Sequence, residues 1–98
     1  TSSVNQIELL TIDTLASCSN DNTIRIWNLN SGLTLKILTG HFNHVLSLKY
    51  LTDKNYLVSS SVDKTVKFWN MNNYNLEIDL TDFTDPIVKL EASYMSNK

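Results

Sequence analysis

"SNDNTIRIWN" stands at residues 19–28 and "SVDKTVKFWN" at residues 61–70, 42 positions apart in a 98-residue chain. The likeness extends outward from both. Residues 15–39, "LASCSNDNTIRIWNLNSGLTLKILT", lie over residues 57–81, "LVSSSVDKTVKFWNMNNYNLEIDLT", with ten of 25 positions identical. Ser17/Ser59, Asp21/Asp63, Thr23/Thr65 and Trp27/Trp69 are among the identities, and Ile24/Val66, Arg25/Lys67 and Ile26/Phe68 are exchanges in kind. Self-similarity at a fixed period is a property of repeat architectures, in which each unit completes its core against the next.

Each unit reads as short strands between turn signals. "TIRIW" and "TVKFW" are β-branched and aromatic runs without helical periodicity. "SNDN" and "SVDK" are tight polar links before them, and "NLNSG" and "NMNNYN" are hairpin connections behind them. Strands are expected at 4–9, 14–18, 23–28, 34–38, 45–51, 56–60, 65–70, 76–80 and 87–92, which is four per unit and a ninth beyond. Helices have no place. The chain has only two Gly, and its abundant Asn can take left-handed turn positions instead.

Composition narrows the function classes. A net charge of −2 with eight Lys+Arg leaves no electrostatic footprint for a nucleic-acid backbone, so no nucleic-acid partner is expected. A single cysteine, Cys18, makes no internal disulfide. No apolar run approaches the roughly 20 residues of a membrane helix, so no membrane partner is expected either. The setting expected is intracellular, cytoplasmic with the nucleus left open.

The spacing of 42, four strands per unit, "GH" at Gly40–His41 and "WN" at Trp69–Asn70 together resemble a WD40 repeat. The resemblance covers essentially the whole chain, although both copies end in Trp-Asn where the family usually has Trp-Asp. It implies an all-β fold of β-propeller blades, each a four-stranded antiparallel sheet, packed face to face around a channel. Residues 1–39 would be a first blade lacking its "GH", residues 40–81 a second blade, and residues 82–98 the first strand of a third with a polar tail. About two blades make a partial propeller, so further blades are needed from the parent chain or from self-association.

His41, Ser59 and Asp63 have the residue types of a hydrolase triad. The resemblance implies another role for them: with Trp69 they would form a hydrogen-bonded structural tetrad, each buried polar group satisfying the next. Ser17, Asp21 and Trp27 are the corresponding residues of the first unit, which has no histidine within the sequence. The third has Asp82–Phe83 where "GH" would stand, so its tetrad cannot form. Cys18 occupies a small-residue slot matched by Ser60, which points to packing rather than reactivity. His41 and His44 lack the companions of a zinc site, and Asp79, Asp82 and Asp85 lack the loop pattern of a calcium site. No cofactor is expected.

The resemblance further implies a non-enzymatic scaffold that presents a face for a protein or peptide partner. Its favoured contact positions fall on His44, Leu46 and Val62 in the second unit and on Ser3, Asn5 and Asn20 in the first, with Phe42 extending the patch and Pro86 and Val88 continuing it. The alternatives are a regulatory propeller within a larger multidomain enzyme and an architectural component of a coat or assembly.

Overall fold

The computed structural model describes residues 3–81 and 83–87. Among these residues eight strands run in order: β1 (Val4–Thr11), β2 (Thr14–Ser19), β3 (Ile24–Asn28), β4 (Thr34–Leu38), β5 (Val45–Leu51), β6 (Tyr56–Ser61), β7 (Val66–Asn70) and β8 (Asn75–Leu80). They form two sheets, ordered β1-β2-β3-β4 and β5-β6-β7-β8, and every neighbouring pair is antiparallel. The eight expected strands are thus present, with ends shifted by a residue or two. The ninth, expected at 87–92, lies outside the described residues except for Ile87.

The registers coincide. Ser17 faces Arg25 and Leu15 faces Trp27 in the first sheet; Ser59 faces Lys67 and Leu57 faces Trp69 in the second. One part differs in length. Two residues, 12 and 13, join β1 to β2, whereas four residues, 52–55, join β5 to β6. Both hairpins end the same way, with a carbonyl from the hairpin accepting an amide from the link after the third strand: Leu29 N donates to Asp13 O at 2.8 Å and Met71 N to Asn55 O at 2.9 Å.

Alternation along each strand sends successive side chains to opposite faces. One face of the first sheet supplies Ala16, Cys18, Ile24, Ile26 and Leu38, and the facing side of the second supplies Val45, Leu48, Leu57 and Trp69, to a single core. Burying a large aliphatic side chain of this kind contributes roughly 1.5–3 kcal/mol relative to exposure. On the far side of the second sheet, Val58 and Val66 form a smaller cluster with Leu51, Phe68, Phe83 and Ile87, so the segment after β8 folds back onto that face.

Left-handed backbone is concentrated in the links. Asn22 (φ 75°) and Asn55 (φ 55°) take it as the sequence leads one to expect, but Lys64 (φ 70°) and Tyr74 (φ 63°) take it too. Lys64 occupies the turn position of Asn22, and Tyr74 that of Gly32 (φ 74°), so the turn geometry persists where the favourable residue type does not.

Candidate functional site

The link before β5, the end of β6 and the turn into β7 converge on one network. Trp69 Nε1 donates to Ser59 Oγ at 2.9 Å, and Ser59 Oγ lies 2.7 Å from His41 Nε2. His41 Nδ1 is 3.1 Å from Asp63 Oδ2. Asp63 also accepts from Phe42 N at 2.8 Å, from Thr65 N at 3.0 Å and from the Thr65 hydroxyl. A carboxylate only accepts, so the proton of a neutral His41 sits on Nδ1 and Nε2 receives the Ser59 hydroxyl hydrogen. The chain of donors then runs one way, from Trp69 through Ser59 and His41 to Asp63.

Burial and charge set the protonation states. His41 is 6% exposed and Ser59 0%. Burial lowers the His41 pKa; Asp63 opposes that shift, while the Lys67 charge adds to it. Burial raises the Asp63 pKa, but the hydrogen bonds from the Thr65 hydroxyl, the Phe42 amide and His41 outweigh it and hold the acid at about 2. Gly40 allows the close approach: at φ 154° a Cβ there would stand 3.2 Å from Trp69 Cη2. The imidazole packs edge-on against the Trp69 ring, centroids 6.4 Å apart.

The first sheet holds part of this arrangement. Trp27 Nε1 donates to Ser17 Oγ at 2.9 Å. Asp21 serves its own turn instead, accepting from the Ser19 hydroxyl, from Thr23 N at 3.0 Å and from the Thr23 hydroxyl, with Arg25 Nη2 3.8 Å away. Those hydroxyl bonds, Ser19 first, lower the Asp21 pKa. Ser17, Asp21 and Trp27 are therefore not joined into one network; they line a groove of about 290 Å³ together with Val4, Ser19 and Arg25.

The expected contact positions fall at the same end of the sheets. Val62 N donates to His44 O at 2.9 Å, and Asn20 N donates to Ser3 O at 3.0 Å, so each pair is brought together in the same way. Leu46 and Asn5 occupy matching irregularities, between Val45 and Ser47 and between Val4 and Gln6. Phe42 is 85% exposed; His44 is exposed, and Leu46 and Val62 are half-buried. Asn5 is engaged internally, donating Nδ2–H to Asn20 Oδ1 and to Val45 O, each at 2.8 Å. Pro86 is half-buried, and Val88 lies outside the described residues.

Two features were not foreseen from the sequence. Lys67 is 4% exposed, its Nζ 2.9 Å from Asp79 Oδ2; alternation in "TVKFW" places it on the Trp69 face, but nothing in the sequence singles out its partner. Gln6 Oε1 accepts from Leu48 N at 2.9 Å, and Glu8 Oε2 accepts from Tyr50 N at 3.0 Å. Cys18 is buried within the core, and burial raises its pKa to about 11, leaving it a thiol. Among the described residues, no cluster of three or more His, Cys, Asp or Glu could hold a metal ion.

Comparison with known proteins agrees with this architecture. The WD40 family model, described as WD domain, G-beta repeat, matches residues 1–28 and 32–70. The chain is 40% identical over 42 residues to the Protein Notchless of Drosophila melanogaster, a match covering 43% of the chain and 9% of that protein. It is 53% identical over 36 residues to the Lissencephaly-1 homolog of Glossina morsitans morsitans, covering 37% of the chain and again 9% of that protein. The crystal structure of the WD40 beta propeller domain of Doa1 superposes with a TM-score of 0.84 and 27% identity, over 90% of this chain and 29% of that one. U3-55K superposes with a TM-score of 0.82 at 22% identity, over 88% of this chain and 28% of that one, a likeness of fold alone. The matched stretches thus span a small part of each relative.

Proposed function

The chain belongs to the WD40 family, whose propellers commonly serve as protein-interaction scaffolds, and from that premise we propose that it presents a binding face for a protein or peptide partner at the end of the sheets carrying Phe42. Leu46 and Val62 complete the apolar part of this face with His44 beside them, and Ser3, Asn5 and Asn20 form its polar flank. The observation that carries the reading is Phe42 itself. It is 85% exposed, yet its amide donates to Asp63 Oδ2 at 2.8 Å. An aromatic side chain held out on a fixed backbone is a low-entropy contact of the kind that anchors interfaces.

In this reading the chain is not an enzyme. His41, Ser59 and Asp63 have triad-like distances, but the Ser59 hydroxyl is fully buried and already accepts from Trp69, which denies it to a substrate.

The test is partner capture by this segment within its propeller, comparing the native residues with Phe42→Asp combined with Val62→Asp. Loss of about tenfold or more in affinity, with unchanged far-ultraviolet circular dichroism, supports the face. Undiminished capture by the folded double variant overturns it and favours the architectural alternative. A serine-reactive fluorophosphonate that labels Ser59 would overturn the non-enzymatic part.

A further inference from the structure

Two loops at the end of the sheets opposite Phe42 hold aliphatic side chains out from a fixed backbone. In the two-residue hairpin after β1, Ile12 is 89% exposed. Thr11 Oγ1 accepts from Asp13 N at 3.2 Å and donates to Thr14 Oγ1 at 3.0 Å, which pins the tip. In the link after β3, Leu33 is 68% exposed. Asn28 Oδ1 accepts there from Asn30 N at 2.8 Å and from Ser31 N at 3.1 Å, and Asn28 N donates to Leu33 O at 2.9 Å. The bond from Leu29 N to Asp13 O joins the two loops.

The second sheet shows that packing one sheet on another does not cover these positions. Asn55 O accepts from Met71 N as Asp13 O accepts from Leu29 N, so Lys54 and Asn75 stand where Ile12 and Leu33 stand. Both stay exposed although the core side of that sheet is closed, and both are polar, so the apolar pair belongs to the first sheet alone. Leu29 is different, because its counterpart Met71 packs against the core between the sheets. The charge differs as well. Asn55 Oδ1 accepts from the Tyr50 hydroxyl, and its Nδ2 donates to Asn72 Oδ1 at 2.7 Å. In the first sheet Leu9 takes the place of Tyr50. The Asp13 carboxylate is exposed and, among the described residues, meets neither a donor nor a cation.

We propose that Ile12, Leu33 and the Asp13 carboxylate form a second contact surface, independent of the Phe42 face. Its occupant is a segment of a partner protein that carries an apolar side chain beside a lysine or arginine. Pinned loops lose little freedom on contact, so the two aliphatic side chains supply affinity at low entropic cost. An exposed ion pair adds little energy but selects the sign of the partner. The free carboxylate next to the apolar pair therefore favours a cation next to an apolar group, and an acidic segment meets like charge there.

The test titrates short synthetic peptides, each with Leu or Phe beside Arg, Gln or Glu, into this segment within its propeller. Backbone amides are followed by nuclear magnetic resonance. The Arg peptides are expected to shift the amides of residues 11–14 and 29–34 and to bind about fivefold more tightly than the Glu peptides. Ile12→Asn with Leu33→Asn should weaken Arg-peptide binding by about tenfold. Asp13→Lys should reverse the preference towards the Glu peptides. Phe42→Asp should leave both effects in place, which separates this surface from the Phe42 face. Binding indifferent to peptide charge, shifts confined to the Phe42 end, or no binding at all overturns the proposal. Should the paired variant not fold, Asp13→Lys decides alone, and an unreversed preference overturns the role of the carboxylate.

Discussion

The imidazole of His41 and the carboxylate of Asp63, 22 residues apart in sequence, meet at 3.1 Å in a buried pocket beside Trp69. Burial of His41 and the hydrogen bonds to Asp63 make folding sensitive to acid in two steps. The native His41 pKa is lowered by burial, so the unfolded chain, whose histidine titrates near 6.5, binds more protons as the pH falls. The His41 contribution is complete above about pH 6.5 and is lost from there down to the lower native value. Asp63 follows: its contribution is complete above about 3.9 and is lost between there and about 2. Thermal melts should show a plateau above about pH 6.5, a decline beginning just below it, and a second decline below about pH 4. His41→Gln should flatten the first decline; an unchanged slope would show that His41 is not the group responsible.

Asp63 and Asp21 occupy the same turn but support different amounts of structure. Removing Asp63 strands the imidazole, the Phe42 amide and the Thr65 groups, so Asp63→Ala is expected to cost about 1–3 kcal/mol in denaturant unfolding. Asp21→Ala removes only bonds within its turn and a 3.8 Å ion pair, and should cost less. Equal losses would argue against the network as the source of the difference.

The hydroxyl of Ser60 is buried with no hydrogen-bond partner among the described residues, and Cys18 fills the matching slot in the first sheet. Ser60→Ala should therefore raise stability by about 1 kcal/mol, measured as a higher denaturant midpoint at unchanged slope. A loss of stability on this substitution would mean that the hydroxyl is satisfied after all.

Lys64 holds φ 70° where the first sheet uses Asn22 at φ 75°. Lys64→Asn relieves a conformation that a lysine side chain disfavours, and should gain about 0.5–1 kcal/mol without altering the sheet. No gain, with the native spectrum retained, would place the turn's cost elsewhere.

Most of the fold was legible because it rests on local signals repeated twice. β-Branched runs, polar links and the 42-residue step mark β2, β3, β6 and β7 within a residue of their ends. Ser59 and Asp63 are joined through the histidine of their own repeat; Asp21, with no histidine beside it, takes the Ser19 hydroxyl in addition to Thr23 bonds that Asp63 matches at Thr65. What was not legible lies between sheets. Gln6 and Glu8 read as ordinary exposed-strand polar residues until the edge of β5 is placed beside them. Lys67 reads as a surface cation until Asp79 of β8 is placed beside it. Asn5 and Asn20 read as open to a partner, yet they bond to each other.

The unequal hairpins, two residues between β1 and β2 and four between β5 and β6, have a consequence for how such a chain can change. They lie at the end of the sheets opposite His41 and Asp63, and the Ser17–Trp27 and Ser59–Trp69 bonds keep the same 2.9 Å length across them. The difference is absorbed as slack in an expansion joint. Insertions and epitope tags should be tolerated between residues 52 and 55, while the same insertions between residues 40 and 45 would pull the histidine out of its socket.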